Sequence, residues 1–245
     1  MAVSNKLKSV LLATLLLTQF YVSAQTVDDI VYKHIKAMGG ANQIADLKSV
    51  RITANMKVMN MDMPVTTTIV QNKAFRTETT AQGMTIIQAV NGKSGWMINP
   101  MGGQSKATVM PEEAVKSMES QKDLTGLYNY KEKGYKLTLD GEEDLDGAKV
   151  YKVTATLNSG VKQINYISKD TFYILKIEAS MPVEGQLIKT ESRQSDFRQV
   201  DGIVFPFVLE VTTTAMPGMT MVNRIASLEV NPKIDESIFE MPKEQ

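Results

Sequence analysis

The sequence has no cysteine and a single histidine among its 245 residues. The absence of cysteine excludes a disulfide-stapled miniprotein and any thiolate metal site. Lysine plus arginine equal aspartate plus glutamate at 27 each, so the basic excess typical of nucleic-acid binders is missing and we expect no nucleic-acid partner. Aromatic residues are 7%, too few to indicate a surface that stacks sugars or bases. The chain is long enough to bury one sizeable core.

Long apolar runs are also missing after the first 24 residues. Residues 1–24 carry two lysines, then the apolar run Val10–Leu17, and end in Val-Ser-Ala. This pattern is typical of a secretory signal peptide, and the run is too short to cross a bilayer core of about 30 Å. An N-terminal membrane anchor is the alternative. We expect residues 25–245 to be a soluble periplasmic chain that is not lipidated, because Gln25 is not cysteine.

The period of the apolar residues changes along the mature chain. Apolar side chains from Val27 to Met38 recur at helical spacing behind a capping pair, Thr26 and Asp29, which predicts an amphipathic helix, and a short turn over 41–47 follows it. From Val50 onward the period is two, which predicts about eleven antiparallel strands in a single domain. Turn dipeptides that favour tight hairpins separate them: Asn91-Gly92, Asp146-Gly147, Ser159-Gly160 and Asp201-Gly202.

A helical segment interrupts the strands between Pro111 and Tyr130. Proline at the first turn, two following glutamates, and Ala114, Val115 and Met118 on one face predict a short inserted helix. A helix between strands of a meander must lie over the sheet or across its rim. We therefore interpret residues 111–130 as a lid.

Catalytic and metal-binding patterns are poorly represented. His34 lies on the apolar side of the first helix, where a structural role is expected rather than that of a general base. No nucleophile elbow accompanies His34 in the sequence. Gly92-Lys93-Ser94 resembles the end of a phosphate loop, but the position that must be the first glycine of such a loop is Ile87. The acidic run 140–146 has Tyr151 where a calcium loop needs glutamate. We expect no enzyme activity, no cofactor and no metal, although paired carboxylates of a hydrolase would leave no recognisable spacing.

Apolar residues exceed what one buried sheet face requires. Ile86 and Ile87 lie on opposite faces of one strand, and Trp96 and Met97 on opposite faces of the next, so both faces must be covered there by helices or by a ligand. The chain also has 16 methionines. Flexible thioether side chains are typical of adaptable apolar binding surfaces, although plain core filling explains them equally well.

These residues lead to a family resemblance. Phe75-Arg76, Asn91-Gly92-Lys93 with Trp96 and Asn99-Pro100, and the closing IDESIFEMP segment resemble the corresponding blocks of the periplasmic lipoprotein carrier LolA and its outer-membrane lipoprotein-sorting relatives. The resemblance covers the mature chain in order. In the carrier, a basic residue just before the equivalent of Phe75 helps to hold the lid; here the stretch is Gln71-Asn72-Lys73, so only Lys73 could take that role.

The resemblance implies a mainly β fold with helices (α+β), a strongly curved antiparallel half-barrel. Its concave face would be covered by the N-terminal helix and the inserted lid, and acyl chains of lipids or lipoproteins would bind between sheet and roof. Transient contacts with inner- and outer-membrane proteins are also implied. We expect the hydrophobic cavity to be lined by Met56, Phe75, Ile86, Trp96, Ile98, Val115, Met118 and Leu127.

The hypothesis from the sequence is therefore a non-enzymatic periplasmic carrier or chaperone for acyl chains. The alternative is an envelope interaction or sensor module that docks a protein partner through the same apolar face. A hydrolase acting on lipids or glycans is the third possibility.

Overall fold

The computed structural model describes residues 25–183 and 186–243. The predicted signal peptide, residues 1–24, lies outside the described residues. The chain is mainly β, and its strands form one antiparallel, curved sheet with the order β6-β5-β4-β3-β2-β1-β13-β12-β11-β10-β9-β8-β7. The strands β6 and β7 are the two edges, so the sheet is not closed. This confirms the predicted half-barrel.

The structure has thirteen strands where the sequence predicts about eleven. Strands with many polar residues, such as β11, give little alternation, which explains the lower number. The strands are β1 Ser49–Val58, β2 Met61–Val70, β3 Ala74–Ala81, β4 Met84–Asn91, β5 Ser94–Asn99, β6 Gln104–Val109, β7 Lys136–Leu145, β8 Ala148–Thr156, β9 Lys162–Ser168, β10 Ile174–Val183, β11 Gln186–Val200, β12 Ile203–Thr213 and β13 Thr220–Val230.

Within residues 25–183 and 186–243, three short α-helices accompany the sheet. The first, α1 (Val27–Ala37), begins with the predicted cap: the Thr26 hydroxyl accepts from the Asp29 N–H while the Asp29 carboxylate accepts from the Thr26 N–H. The second, α2 (Ala41–Ala45), follows at once. The third, α3 (Glu112–Ser117), is the predicted inserted helix. None of the helices among the described residues is long and apolar enough to span a membrane.

Turn chemistry sets the hairpin register. At the β11–β12 turn, Asp201 and Gly202 have φ of 48° and 85°. Positive φ angles cost little conformational free energy at aspartate and glycine, and two such residues suit a two-residue hairpin. The pairing then runs without a shift from Val200 opposite Ile203 to Thr190 opposite Thr213.

The helices pack on one face of the sheet, called here the inner face. Helix α1 places Ile30, Val31 and Ile35 against Val153 and Ile167 of β8 and β9. Toward the opposite lateral edge of the sheet, that of β6, Val115 of α3 packs with Val90 of β4 and with Met110. Between them, Leu47 packs with Val50 and Ile203. Burial of these side chains supplies the main stabilisation of the fold.

The C-terminal residues cover part of the opposite, outer face. The 3₁₀ turn Glu236–Phe239 lies against β3 and β4, and Trp96 Nε1 donates to the Phe239 carbonyl oxygen at 2.9 Å. The Arg76 guanidinium donates to the Ile238 carbonyl at 2.8 Å and lies 5.3 Å from the centre of the Trp96 ring. Together with α3 on the inner face, this turn covers both faces of the sheet at β4 and β5, as the sequence predicts.

We predict that Phe239→Ala destabilises the protein by about 3–5 kcal/mol, because the buried ring is replaced by a cavity beneath the outer-face turn. Urea unfolding followed by tryptophan fluorescence measures the change and also reports on Trp96 itself. Met241→Ala, at a side chain that is 40% exposed, should change stability by no more than about 0.5 kcal/mol. Equal effects of the two substitutions would contradict the anchoring role of Phe239.

Candidate functional site

The strand register defines a line of inner-face residues of which three out of four are buried and the fourth is half-buried. Val50, Ile69, Phe75 and Val90 are successive cross-strand partners from β1 to β4. Val50, Phe75 and Val90 are buried, and Val50 and Val90 belong to core clusters beneath the helical segments. This line marks where the roof of the inner face lies.

Beyond that line, toward the strand ends near Val58 and Met84, Ala54, Ala81 and Phe207 are buried, but most of the larger apolar side chains of the inner face are only half-buried. We call them the open inner face, and none of them belongs to the three core clusters formed by the described residues. Its members follow from the register: Met56, Val58, Met63, Val65, Met84, Ile86, Ile177, Met181, Leu209, Val211, Met221 and Ile225. Five of these twelve are methionine, so the apolar part of the surface is adaptable in shape, although polar residues such as Gln88 and Asn223 lie on the same face.

The eight residues predicted to line a cavity fall into distinct groups. Met56 and Ile86 belong to the open inner face, and Phe75 lies in the covered line next to it. Val115 and Met118 belong to the cluster of α3. Leu127 packs instead with helix α1, on the same face but near the other lateral edge of the sheet.

Trp96 and Ile98 lie on the outer face. Trp96 pairs with Ala89 and Ile98 with Ile87, and both partners point away from the face that carries Ile86 and Val90. Trp96 is buried under the C-terminal turn. Alternation in the sequence correctly places Ile86 and Ile87 on opposite faces of β4. It does not reveal the register of β5 on β4, so the prediction wrongly put Trp96 and Ile98 on the same wall as Ile86.

Two cavities among the described residues lie elsewhere. One of about 520 Å³ is at the ends of β10–β13 and has threonines and the charged side chains of Glu178, Lys189 and Glu191 in its lining. One of about 310 Å³ lies between α1 and Leu127. Neither of these cavities includes a residue of the open inner face, whose half-buried side chains on the curved strands are called here the trough.

Residues 110–135, called here the crossing segment, form the roof. They join edge strand β6 to the other edge strand, β7, and contribute in turn Val115, Leu124 and Leu127 to the three core clusters. The segment therefore crosses the inner face from one edge to the other. It includes α3 and the 3₁₀ turn Glu119–Lys122.

A polar network around Asp123 fixes the middle of the crossing segment. The Asp123 carboxylate accepts from Lys133 Nζ at 2.7 Å, from the Gln71 side-chain amide at 3.1 Å and from the Thr125 N–H at 3.0 Å. Burial opposes ionisation of Asp123, but the hydrogen bonds from Lys133, Thr125 and Gln71 together with the charge of Lys133 outweigh it, so the pKa of Asp123 lies below its usual value. Burial, with the charge of Asp123, raises the pKa of Tyr135 to about 12.

Two further contacts tie this region to the sheet. The Gln71 side-chain oxygen accepts from the Leu124 N–H at 2.6 Å, and Lys122 Nζ donates to the Gly92 carbonyl at 2.9 Å. Lys73 instead pairs with Glu236 of the C-terminal turn at 2.6 Å. The suggestion that Lys73 holds the lid is thus corrected: Gln71 contacts the crossing segment. Both residues lie in the β2–β3 turn, where Asn72 between them has a φ of 56°, and this turn directs their side chains to different parts of the molecule.

His34 is part of the packing between α1 and the sheet. Its Nδ1 lies 2.8 Å from the Phe172 carbonyl oxygen, and burial lowers the pKa of His34. A carbonyl can only accept, so Nδ1 carries the proton of a neutral ring. This geometry orients the ring and is typical of a structural histidine.

Comparison with solved structures finds the same architecture in several bacterial proteins. A DUF1329 family protein from Desulfovibrio piger superposes with a TM-score of 0.60 at 15% identity, covering 89% of this chain and 98% of that one. A LolA superfamily protein from Nitrosomonas europaea gives 0.57 at 17% identity, covering 89% and 98%. An outer membrane lipoprotein-sorting protein domain from Vibrio parahaemolyticus gives 0.55 at 16% identity, covering 86% and 94%.

Sequence comparison gives a family without a described activity. No curated protein sequence matches the chain. A family model with the description "uncharacterized protein" matches residues 73–243, which is more than half of the chain. The chain therefore belongs to that family, and its fold is LolA-like.

Proposed function

We propose that this protein binds the acyl chains of lipids or lipoproteins on its open inner face and carries them through the periplasm toward the outer membrane. The observation that carries the proposal is the set of half-buried, methionine-rich side chains beside the roof, outside every core cluster of the described residues. A surface of this kind is costly in water unless something apolar covers it. The description of one structural relative as a lipoprotein-sorting domain agrees with this ligand class.

The energetics suit an acyl chain. Each buried methylene contributes about 0.8 kcal/mol, so ten methylenes contribute about 8 kcal/mol before the cost of ordering the chain. Met56 and Ile86 would contact the ligand directly. Phe75, Val115 and Met118 would form the wall and roof where the trough meets the crossing segment, and Leu127 would hold the far end of that segment.

The function is binding rather than catalysis in this proposal. Asp123, Lys133 and Tyr135, three partly buried titratable groups in mutual contact, hold the crossing segment in place. The lone histidine is engaged in packing. Release of cargo would then depend on movement of the crossing segment, which changes the enclosed apolar area.

Ile86→Glu should weaken binding of a fluorescent fatty acid by about ten-fold or more, because a carboxylate would be placed against hydrocarbon. The matched control is Ile87→Glu, the neighbouring half-buried residue of the same strand on the outer face, which should bind like the wild type. Thermal unfolding of both variants checks their folding. Equal affinities of the two variants would contradict an inner-face site. A wild-type protein that binds no fatty acid and retains a protein partner would favour the interaction module.

Asp123→Asn should lower the free energy of unfolding by about 2–3 kcal/mol at neutral pH, because Lys133 loses its charged partner in a largely buried position. The lowered pKa of Asp123 stabilises the folded state above its ordinary value of 3.8, and this contribution is lost as the pH falls through the folded-state pKa. The difference between wild type and variant should therefore shrink in acid. Glu236→Gln, at an exposed pair, should cost less than about 1 kcal/mol throughout.

A tether tests movement of the roof in a chain that has no native thiol. A Cβ built on Gly95 lies 2.9 Å from the Val115 side chain, so Gly95→Cys with Val115→Cys should form a disulfide that fixes α3 to β5. Fatty-acid exchange, followed by stopped-flow fluorescence, should be slower in the oxidised sample than in the reduced one. The two single-cysteine variants serve as controls. Identical exchange rates would argue against a moving roof.

A further inference from the structure

The side chain of Gln25, just before helix α1, has one polar atom without a partner. Among residues 25–183 and 186–243, its amide nitrogen Nε2 is the one buried side-chain nitrogen or oxygen that forms no hydrogen bond. A primary amide brings two donors, and a buried donor that binds nothing costs free energy because its hydrogen bonds to water are lost. Folded proteins contain few such atoms, so this one indicates a specific chemical reason.

The oxygen of the same amide is firmly held. The Tyr151 hydroxyl donates to Gln25 Oε1 at 2.5 Å. Tyr151 belongs to β8 and is buried in the core cluster beneath helix α1, where its ring stacks on Phe172 with 6.3 Å between the ring centres. The fold therefore provides a partner for the carbonyl oxygen of the Gln25 side chain and none for its nitrogen.

Gln25 is also the residue that the sequence predicts to begin the mature chain, because the signal-peptide pattern ends at Ala24. An N-terminal glutamine has a reaction that an internal one lacks. Its α-amine nitrogen attacks Cδ of its own side chain, and the new N–Cδ bond closes a lactam ring, pyroglutamate. The Cδ–Nε2 bond breaks, and Nε2 leaves as ammonia with the proton that the amine gives up. The reaction needs no oxidant, reductant or second substrate.

Pyroglutamate suits the contacts that surround Gln25. Oε1 remains on Cδ as the lactam carbonyl oxygen, so the Tyr151 hydroxyl keeps its acceptor. The atom that leaves is Nε2, the one without a partner. The groups that cap helix α1, the N–H and hydroxyl of Thr26 with the Asp29 carboxylate, are not part of the ring. Closure of the ring therefore removes the unfavourable group and leaves the start of the helix intact.

We propose that Gln25 is a modification site: after removal of the signal peptide it closes to pyroglutamate, and Tyr151 holds the lactam carbonyl. The mature chain then begins with a neutral, blocked residue that is anchored on β8. An aminopeptidase needs a free α-amine, so the lactam protects the cap of helix α1 from trimming. This modification does not depend on the proposed binding of acyl chains.

Intact-mass spectrometry tests the modification with protein purified after export of the full chain and kept at neutral pH until its mass is constant. The mature chain should begin at residue 25 and lack one ammonia in nearly all molecules, and Edman degradation should release no first residue. Gln25→Asn is the matched control. Its side chain is one methylene shorter, so its lactam would be too strained to form, and it should keep its ammonia and give a readable first residue. A wild-type chain that begins with a free Gln25 amine, or at another residue, overturns the proposal.

Thermal unfolding tests the contact with Tyr151. Gln25→Asn should lower Tm by about 2–4 °C, which is the shift that one lost hydrogen bond produces in a domain of this size. In a Tyr151→Phe background, which keeps the stacked ring, the same substitution should lower Tm by less than half as much, because the hydroxyl is already absent. A Tyr32→Phe background, at an exposed tyrosine of α1, should leave the shift unchanged. Equal shifts in all three backgrounds overturn the assignment of Tyr151.

Discussion

The fold depends on a topological constraint: two strands that are nearly consecutive in the chain, β6 and β7, lie at opposite edges of a thirteen-stranded sheet. A flat sheet of that size would be about 58 Å across, from twelve spacings of about 4.8 Å. The crossing segment contains helical residues that advance only about 1.5–2 Å each, followed by a run of turns. Curvature of the sheet brings the edges within its reach.

The same constraint determines how much of the inner face is covered. A single segment can bury one line of side chains across the strands, and the line through Val50, Phe75 and Val90 is the one that it buries. The strands continue past this line toward their tips. Many of the inner-face residues there, such as Met56, Ile86 and Leu209, are apolar but only half-buried, because the strands are longer than the crossing segment is wide. The Asp123 network then fixes the roof through polar contacts to β2 and to Lys133.

The sequence predicts the elements well where periodicity is strong. Helix α1 with its Thr26 cap, the inserted helix and the antiparallel hairpins follow from spacing and turn chemistry alone. The polar strand β11 does not, because its alternation is weak. The site is harder to predict, since alternation assigns residues to faces only within one strand. Placing Trp96 requires the register of β5 on β4 and the position of the C-terminal turn, and neither leaves a local signal. Gln71 illustrates the same limit: only the fold brings it to residues 123–125.

The long separations in sequence between packing partners bear on biogenesis. His34 of the first helix contacts Phe172, and Trp96 hydrogen-bonds Phe239. A chain that emerges N-terminus first therefore exposes its opening helix until Phe172, more than a hundred residues later, has been made. Trp96 likewise cannot form its hydrogen bond until Phe239 has been made. No thiol is present to trap an intermediate covalently. The nascent protein thus exposes apolar surface until its late residues have been made, which makes it a natural client for general holding chaperones.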